Sequence, residues 1–255
     1  MIDPLRPLAG KTALITGSGQ NIGKAIALRF AQAGANVVVN GARHREKVEA
    51  VVAEIEAAGG CALGVMADVS DPQAVARLVD AALARFGAVD IAVSNVARRL
   101  HQPFLDISIE DWHAVLNTNL NALFYLDRVV IPHMQARRWG RLIHISGYDG
   151  FTGHLLNRAH NVTAKAGMHG LTKALAREFG PFGITCNTVA PGAINTERDW
   201  SQYPNTDVKR VTERIPVRRW GEVRDIAEAC LYLASEAGSF VNGQVLHVNG
   251  GEYMF

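Results

Sequence analysis

Short apolar runs alternate with longer stretches of helical periodicity along the whole chain, and this alternation constrains the fold more than any other feature. Strands that alternate with helices of about 10 to 15 residues are typical of a parallel sheet covered by helices on both faces. The predicted strands are residues 12–16, 36–39, 62–66, 91–94, 141–145, 184–189 and 244–248. The predicted helices are residues 22–33, 45–58, 72–85, 109–134 with a break or bend near Pro132, 162–179 and 226–234. The pattern predicts an α/β fold, a single doubly wound domain over residues 1–255 around a seven-stranded parallel sheet.

The charge balance and the cysteines exclude several classes of protein. The 255 residues carry a formal net charge of +2, whereas a nucleic-acid binder would need a basic stripe. No apolar run approaches the ~18 to 20 residues of a membrane span, and the first residues lack the apolar region of a secretory signal. Cys61, Cys186 and Cys230 match no metal or disulfide spacing and are interpreted as buried thiols. We therefore expect a cytoplasmic protein with no nucleic-acid or membrane partner.

A glycine-rich segment, Thr16-Gly-Ser-Gly-Gln-Asn-Ile-Gly23, joins the first predicted strand to the first predicted helix. Gly17 and Gly19 allow a tight turn, and Gly23 allows the helix to pack closely on the sheet. The helix N-terminus offers unpaired N–H groups and a positive dipole end, which suit a pyrophosphate. This placement between strand and helix predicts a dinucleotide site of the Rossmann type.

The chain resembles the short-chain dehydrogenase/reductase family over almost its whole length. The family's Thr-Gly-x-x-x-Gly-x-Gly motif is matched at Thr16, Gly17 and Gly23, with Asn21 at the middle glycine. Because asparagine tolerates a positive φ better than most residues, the turn is expected to survive. Further similar segments are Asp68-Val69, Ser94-Asn-Val-Ala97, Asn187 to Thr196, Arg219-Trp-Gly-Glu with Asp225-Ile226, and Gly243 to Gly251. The resemblance implies an oxidoreductase that uses a nicotinamide cofactor on a small-molecule substrate.

The resemblance also implies which residues contact the cofactor. They are Gly17, Ser18, Gly19, Gln20, Asn21, Ile22, Gly23, Arg43, Asp68, Val69, Asn95, Ala97, Lys165, Pro191, Gly192, Ile194 and Thr196. An acid after the second strand would bind the ribose 2′-hydroxyl of NAD, but that region carries Arg43 and Arg45 and no acid before Glu46. Arginine pairs well with phosphate, which favours NADP(H) over NAD(H). In the alternative interpretation the two arginines are only the solvated start of the next helix.

The family's catalytic set is an Asn, a Ser, a Tyr and a Lys, and two of the four are replaced here. Asn119 matches the Asn and Lys165 matches the Lys, whereas Asn161 stands at the Tyr position and Gly147 at the usual Ser position. The family's Tyr exchanges a proton with the substrate oxygen, and the Lys lowers the pKa of that Tyr. An asparagine amide has no proton to give to an alkoxide, although it can hydrogen-bond a substrate oxygen. The predicted catalytic residues are Asn119, Ser146, Tyr148, Asn161 and Lys165.

Three kinds of group can replace the missing proton donor. Tyr148 can supply a phenol from the end of the fifth strand, His160 or His154 can act as an acid, and Lys165 can act directly if burial lowers its pKa. Tyr148 is favoured over His160. Ser146, one residue before the usual serine, points away by default, but the loop to the next helix is one residue longer than usual, and this can re-aim Ser146 or Tyr148. No histidine spacing resembles a metal-binding helix, so no metal is predicted. His144 is interpreted as a satisfied core or pocket residue.

Three functions follow from this altered site. The leading one is an oxidoreductase that interconverts a carbonyl and an alcohol with a rearranged proton donor. The alternatives are a non-redox lyase or isomerase with Asn161 as an oxyanion donor, and a catalytically silent cofactor-binding or partner-stabilising subunit. Residues 195–216 are predicted to form a substrate lid or binding loop, the alternative being an ordinary surface excursion. The resemblance further implies a homo-oligomer, commonly a tetramer, with the terminal Glu252-Tyr-Met-Phe255 in a subunit contact.

Overall fold

The strands form one seven-stranded sheet and one short two-stranded ribbon. The computed structural model describes residues 5–153, 156–197 and 207–254. The strands are β1 (Thr12–Ile15), β2 (Asn36–Gly41), β3 (Cys61–Met66), β4 (Ile91–Ser94), β5 (Gly140–Ile145), β6 (Ile184–Pro191), β7 (Ile194–Asn195), β8 (Gly221–Glu222) and β9 (Val245–Val248). The helices are α1 (Asn21–Gln32), α2 (Arg45–Ala57), α3 (Pro72–Phe86), α4 (Ile109–Leu116), α5 (Ala122–Arg137), α6 (Asp149–Thr152), α7 (Ala159–Phe179), α8 (Val208–Arg214) and α9 (Val223–Ala234).

The large sheet has the strand order β3–β2–β1–β4–β5–β6–β9, and every neighbouring pair is parallel. The direction of the connections reverses between β1 and β4, which opens a crevice beyond the carboxyl ends of these strands. The predicted single α/β domain with a seven-stranded parallel sheet is confirmed. The ribbon of β7 and β8 lies outside this sheet and was not predicted.

Two apolar cores cover the two faces of the sheet because successive side chains of a strand point to opposite sides. In β1, Ala13 and Ile15 belong to the core that contains α1, α2 and α9, and Leu14 belongs to the core that contains α3 and α5. All four residues of β1 are buried. Burial on both faces is the reason why the strands read as short apolar runs rather than alternating ones.

The long helix predicted over residues 109–134 is interrupted at a different place from the one expected. The helix continues through Pro132, whereas a π-helical turn spans Asn117–Asn121 between α4 and α5. Proline removes one helical hydrogen bond but does not have to end a helix, and π turns are frequent at functional sites. Asn119, on this turn, is fully buried.

Three smaller expectations also needed correction. Residues 195–216, predicted as a lid or binding loop, contain regular structure, because β7 ends and α8 lies within them, while residues 198–206 lie outside the described part of the chain. Cys61 is exposed rather than buried, since it opens an edge strand, whereas Cys186 and Cys230 are buried. Helix α7 begins at Ala159, three residues earlier than predicted, so that Asn161 and Lys165 share its first turns.

A chain of buried polar side chains links α5, β5, α7 and β6. His144 Nε2 lies 3.0 Å from Asp127 Oδ2, and His144 Nδ1 lies 2.8 Å from Thr172 Oγ1. Thr172 Oγ1 in turn lies 2.8 Å from Thr188 Oγ1. Both ring nitrogens of His144 are hydrogen-bonded in a fully buried position, as a stable core requires. The interpretation of His144 as a satisfied core residue is confirmed.

Candidate active site

The glycine-rich turn after β1 adopts the left-handed backbone that its sequence predicted. Gly17 has φ 60°, and Asn21, at the position of the middle glycine, has φ 51°. The Asn21 side chain pairs with the backbone of Glu197, donating from Nδ2 at 3.1 Å and accepting at Oδ1 at 2.8 Å. Asparagine therefore replaces glycine without breaking the turn, and its amide ties the turn to the segment that follows β7.

Close packing around Gly23 brings α1 against the turn. A Cβ at this position would lie 2.4 Å from the carbonyl oxygen of Gly17 and 2.7 Å from Nδ2 of Asn95. Asn95 Nδ2 donates to the carbonyls of Thr16 and Gly17, at 3.1 and 3.2 Å. Asn95 and Gly23 thus support the turn from behind, as does the buried Ser18, and do not line its open side.

The open side of the turn has the features that a dinucleotide phosphate requires. No side chain caps the N-terminus of α1, so its first N–H groups remain available to an anion. The groove in front of the turn has a volume of about 570 Å³, within the range of nucleotide-sized sites. Seven of the residues that the sequence predicted to contact the cofactor line this groove, namely Gly17, Gly19, Gln20, Arg43, Asp68, Val69 and Ala97. These residues fit a nicotinamide dinucleotide.

The end of β2 places an amide, not a carboxylate, at the mouth of this groove. Asn40 is buried, accepts from the backbone N–H of Gly17 at 3.2 Å and donates to the carbonyl of Ala67 at 3.1 Å. Sequence analysis missed this brace between the turn and β3. Arg43 lines the groove, and its positive charge helps the hydrogen bonds from Ser70 to lower the pKa of Asp68.

A second cavity lies on the other side of the turn and contains most of the predicted catalytic groups. The residues that line this cavity and that the sequence predicted to be catalytic or cofactor-binding are Ile22, Ser146, Tyr148, Asn161, Lys165, Pro191, Gly192, Ile194 and Thr196. The other lining residues are Arg99, Gly147, Asp149, Arg158, Ala193, Val211, Arg214, Trp220 and Glu252. The ends of β5 and β6 and the start of α7 converge here because parallel strands end at the same edge of the sheet.

Asn161 is held by hydrogen bonds within the protein. Its Oδ1 accepts from Asn119 Nδ2 at 3.1 Å, and its Nδ2 donates to the carbonyl of Leu100 at 3.3 Å. Asn119 is fixed in turn by the backbone of Arg98, which it contacts at 2.7 and 3.0 Å. The π turn therefore delivers Asn119 to Asn161 and not to the cavity itself.

Lys165 lies one helical turn beyond Asn161 and is buried. Its Nζ donates to the carbonyl of Ile145 at 2.8 Å. Burial lowers the pKa of the Lys165 ammonium to about 7, and the positive charge of Arg99 acts in the same direction, whereas Asp149 opposes it. Near neutral pH this group exists in both protonation states.

Ser146 and Gly147 directly follow β5 and have different environments. The Ser146 Oγ is 2.7 Å from Nε2 of His169 on α7, so its hydroxyl is engaged by that helix although the residue borders the cavity. Burial lowers the pKa of His169 to about 4, which keeps this ring neutral. A Cβ at Gly147 would meet nothing within 4 Å. Open space therefore exists beside Gly147, the position predicted to correspond to the family's serine.

Tyr148 borders the cavity and stacks on Tyr253, with the ring centroids 4.5 Å apart. Burial raises the pKa of the Tyr148 phenol above its ordinary value, and the charges of Glu252 and Asp149 add to this effect. A phenolate at this place would not be stabilised. The geometry suits Tyr148 better as a hydrogen-bond donor than as an acid that gives up its proton.

The structure does not bring His160 into the cavity. His160 is fully buried behind it, and its Nδ1 accepts from the backbone N–H of Asn161 at 3.0 Å. Burial lowers the pKa of His160, which disfavours the charged ring. His154 lies outside the described residues. Within the part of the chain that the structure describes, no three His, Cys, Asp or Glu side chains are grouped as a metal site.

Glu252 lines the cavity, and the sequence did not predict this. Glu252 was grouped in the sequence analysis with the apolar C-terminal residues of a subunit contact. Its side chain is 4% exposed and forms a 3.6 Å ion pair with Arg214. The position of an acid among glycines and aromatic residues near the terminus was the one indication in the sequence that Glu252 has a functional role.

Across the described ranges, no helix is both long and apolar enough to cross a bilayer.

The comparison with protein families covers nearly the whole chain. Residues 17–252 match the family model described as Enoyl-(Acyl carrier protein) reductase. The chain is 38% identical over 245 residues to the 3-oxoacyl-[acyl-carrier-protein] reductase FabG of Staphylococcus epidermidis, an alignment that covers 96% of this chain and 99% of the relative. It is 39% identical over 248 residues to the (2S)-[(R)-hydroxy(phenyl)methyl]succinyl-CoA dehydrogenase subunit BbsD of Thauera aromatica, covering 97% and 98%.

The solved structures agree with the sequence relatives. A short-chain dehydrogenase from Burkholderia cenocepacia in complex with NADP superposes with a TM-score of 0.88 at 31% identity, covering 96% of this chain and 99% of that one. Identity above 30% over nearly complete chains shows common descent as well as a common fold. The chain belongs to the short-chain dehydrogenase/reductase family of NAD(P)-dependent oxidoreductases.

Proposed function

We propose that this protein catalyses the NADP(H)-dependent interconversion of a carbonyl and an alcohol, with a proton donor that differs from the family's tyrosine. The observation that carries the proposal is the pairing of two sites around one turn. A groove that fits a dinucleotide lies beside a cavity that holds Lys165, Tyr148 and Asn161. The proposal includes the replacement of the usual serine and tyrosine by Gly147 and Asn161.

Each residue of the cavity has a separate role in the proposed reaction. A bound nicotinamide dinucleotide supplies or accepts the hydride. Lys165, tied to the carbonyl of Ile145, holds the sugar next to the nicotinamide, as the family resemblance implies. Tyr148 offers its hydroxyl to the substrate oxygen and helps to orient it. Asn119 and Asn161 keep the segment around Leu100 in place at the cavity wall.

Turnover is the direct test of this function. We expect the purified protein to oxidise NADPH in the presence of at least one member of a broad panel of ketones and 3-oxo thioesters. The measurement is the loss of absorbance at the nicotinamide band, with binding followed separately by fluorescence titration. Failure both to bind and to oxidise NADPH across the panel would refute the proposal.

The preference for NADP(H) rests on Arg43. This side chain borders the groove, and it forms no hydrogen bond or ion pair with a described residue. The nearby Arg45 instead pairs with Glu49 at 3.8 Å and does not line the groove. A guanidinium at the ribose end of the groove that forms no direct ion pair with a described residue suits the 2′-phosphate of NADP.

The substitution Arg43→Ala is expected to weaken NADPH binding about tenfold, which corresponds to one charge-assisted hydrogen bond of about 1.5 kcal/mol. NADH binding should change little, because it has no 2′-phosphate. Titration calorimetry with both cofactors measures the difference, and Arg45→Ala is the matched control. Equal losses for NADPH and NADH, or a loss with Arg45→Ala instead, would contradict the assignment.

One observation favours a second function, that of a catalytically silent cofactor-binding subunit. Both polar atoms of the Asn161 amide are used inside the protein, so this residue is built into the wall rather than offered to a substrate. A relative at 39% identity is named as a subunit of a dehydrogenase. This function predicts that NADPH raises the melting temperature without turnover on any substrate.

The proposal also includes a cytoplasmic homo-oligomer, a tetramer by family resemblance, and a substrate lid within residues 195–216. Exposed apolar side chains near α4 and α5, namely Phe104, Leu105, Ile109 and Phe124, support self-association. The link between Asn21 and Glu197 supports the lid, because it joins the cofactor turn to the start of that segment.

A further inference from the structure

Glu252 has an environment that is unusual for a carboxylate. Its side chain is 4% exposed, and neither carboxylate oxygen has a hydrogen-bond partner among the described residues. A buried carboxylate without hydrogen bonds costs several kcal/mol when it is ionised. Such a group is kept in a fold at a cost, and it borders the same cavity as Lys165 and Tyr148.

The charges around Glu252 only partly offset this burial. Arg214 of α8 lies 3.6 Å from Oε1, but the arginine side chain is 53% exposed, so solvent screens the pair. Asp149 of α6 faces Glu252 with like charge, and the phenols of Tyr148 and Tyr253 complete the surroundings. Burial raises the pKa of Glu252, the charge of Asp149 acts in the same direction, and Arg214 opposes both. The neutral carboxylic acid is therefore favoured over the ion relative to an exposed glutamate.

Asn161, Ser146 and Tyr148 are poorly suited to donate a proton, whereas Lys165, whose Nζ donates to the carbonyl of Ile145, is assigned to the cofactor sugar by the proposed function. Asn161 has no acidic proton, and the hydroxyl of Ser146 is engaged with His169. Loss of a proton from Tyr148 would leave a phenolate beside Glu252 and Asp149. A neutral carboxylic acid gives up its proton far more readily than a phenol does.

We propose that Glu252 is the catalytic acid of this site, donating a proton to the substrate oxygen during reduction and taking it back during oxidation. This inference rests on the proposed oxidoreductase function. In the reduction, the carbonyl carbon gains a hydride from the reduced nicotinamide dinucleotide, and the π electron pair of the C=O bond moves to oxygen. That oxygen forms an O–H bond with the Glu252 proton, whose former bonding pair stays on the carboxylate. The carboxylate then regains a proton from water.

The test compares Glu252→Gln, which keeps the shape but cannot titrate, with Glu252→Asp, which keeps the acid. Loss of a general acid lowers turnover about 10²- to 10⁴-fold, and we expect this loss in Glu252→Gln with NADPH affinity unchanged. Glu252→Asp should retain a measurable part of the activity. The control Glu178→Gln, at an exposed position on α7, should behave as the wild type.

The pH dependence separates a chemical role from a structural one. Carbonyl reduction by the wild type should fall as the pH rises through the pKa of Glu252, because the acid form is the reactive one. Since Arg214 lowers that pKa, Arg214→Met should move the fall to higher pH. A pH profile that Arg214→Met leaves unmoved would count against the assignment.

Thermal unfolding gives a readout that does not depend on turnover. A raised pKa in the folded state contributes stability that is full below about 4.3, the ordinary pKa of glutamate, and is lost as the pH rises through the folded value. The wild type should show this loss, and Glu252→Gln should lack it. Full activity of a folded Glu252→Gln protein overturns the inference alone, whereas a wild type that turns over no substrate overturns it together with the proposed function.

Discussion

The double substitution Gly147→Ser and Asn161→Tyr is expected to raise the rate of NADPH-dependent reduction of simple ketones about 10²- to 10⁴-fold, the usual contribution of a positioned proton donor. A serine at 147 enters open space, because a Cβ there meets nothing within 4 Å. A tyrosine at 161 stands one helical turn before Lys165, whose ammonium can stabilise the phenolate.

The measurement is steady-state oxidation of NADPH with a ketone that the wild type reduces slowly. The control combines Gly147→Ser with Asn161→Phe, which has nearly the same volume as tyrosine and no hydroxyl. Both variants lose the hydrogen bonds of Asn161 to Asn119 and Leu100, so the comparison isolates the phenol. Equal rates for the two variants, with NADPH still bound, would show that the cavity does not position a substrate next to Lys165.

Gly23→Ala is expected to weaken NADPH binding about 10- to 100-fold. The new methyl group would lie 2.4 Å from the Gly17 carbonyl oxygen and 2.8 Å from Cα of Ser18, so α1 or the turn must shift. Overpacking of this kind costs about 1 to 3 kcal/mol, and each 1.4 kcal/mol that reaches the binding site is a factor of ten in affinity. The shift moves the N–H groups that face the pyrophosphate.

The matched control is Gly170→Ala on α7, where a Cβ meets nothing within 4 Å. Alanine favours a helix over glycine by about 1 kcal/mol, so this variant should be slightly more stable and bind NADPH as the wild type does. Calorimetric titration and thermal unfolding of both variants provide the comparison. Wild-type affinity in Gly23→Ala would mean that the turn does not hold the cofactor.

The sequence predicted features that depend on local rules. Short apolar runs indicated β1 to β6 and β9, and the glycine spacing indicated a turn that Gly17 and Asn21 indeed form with positive φ. Local rules were less reliable where two outcomes differ little in energy. Pro132 looked like a break in its helix, yet the helix passes through it and the irregular turn surrounds Asn119. A neighbouring loop decides that turn, because Asn119 bonds to the backbone of Arg98.

The amino-acid sequence by itself determined the order of strands and helices and the place of the glycine-rich turn, and it predicted that Gly147 and Asn161 stand where the family has hydroxyls. Periodicity and backbone preference act over a few residues, so they can be read from the chain. Only the tertiary structure decided that Glu252 borders the cavity with Tyr148 and Lys165. It also decided that the Asn161 amide forms hydrogen bonds with Asn119 and with the carbonyl of Leu100. Those contacts join segments far apart in the chain, and the burial that alters their chemistry exists only once the sheet has brought them together.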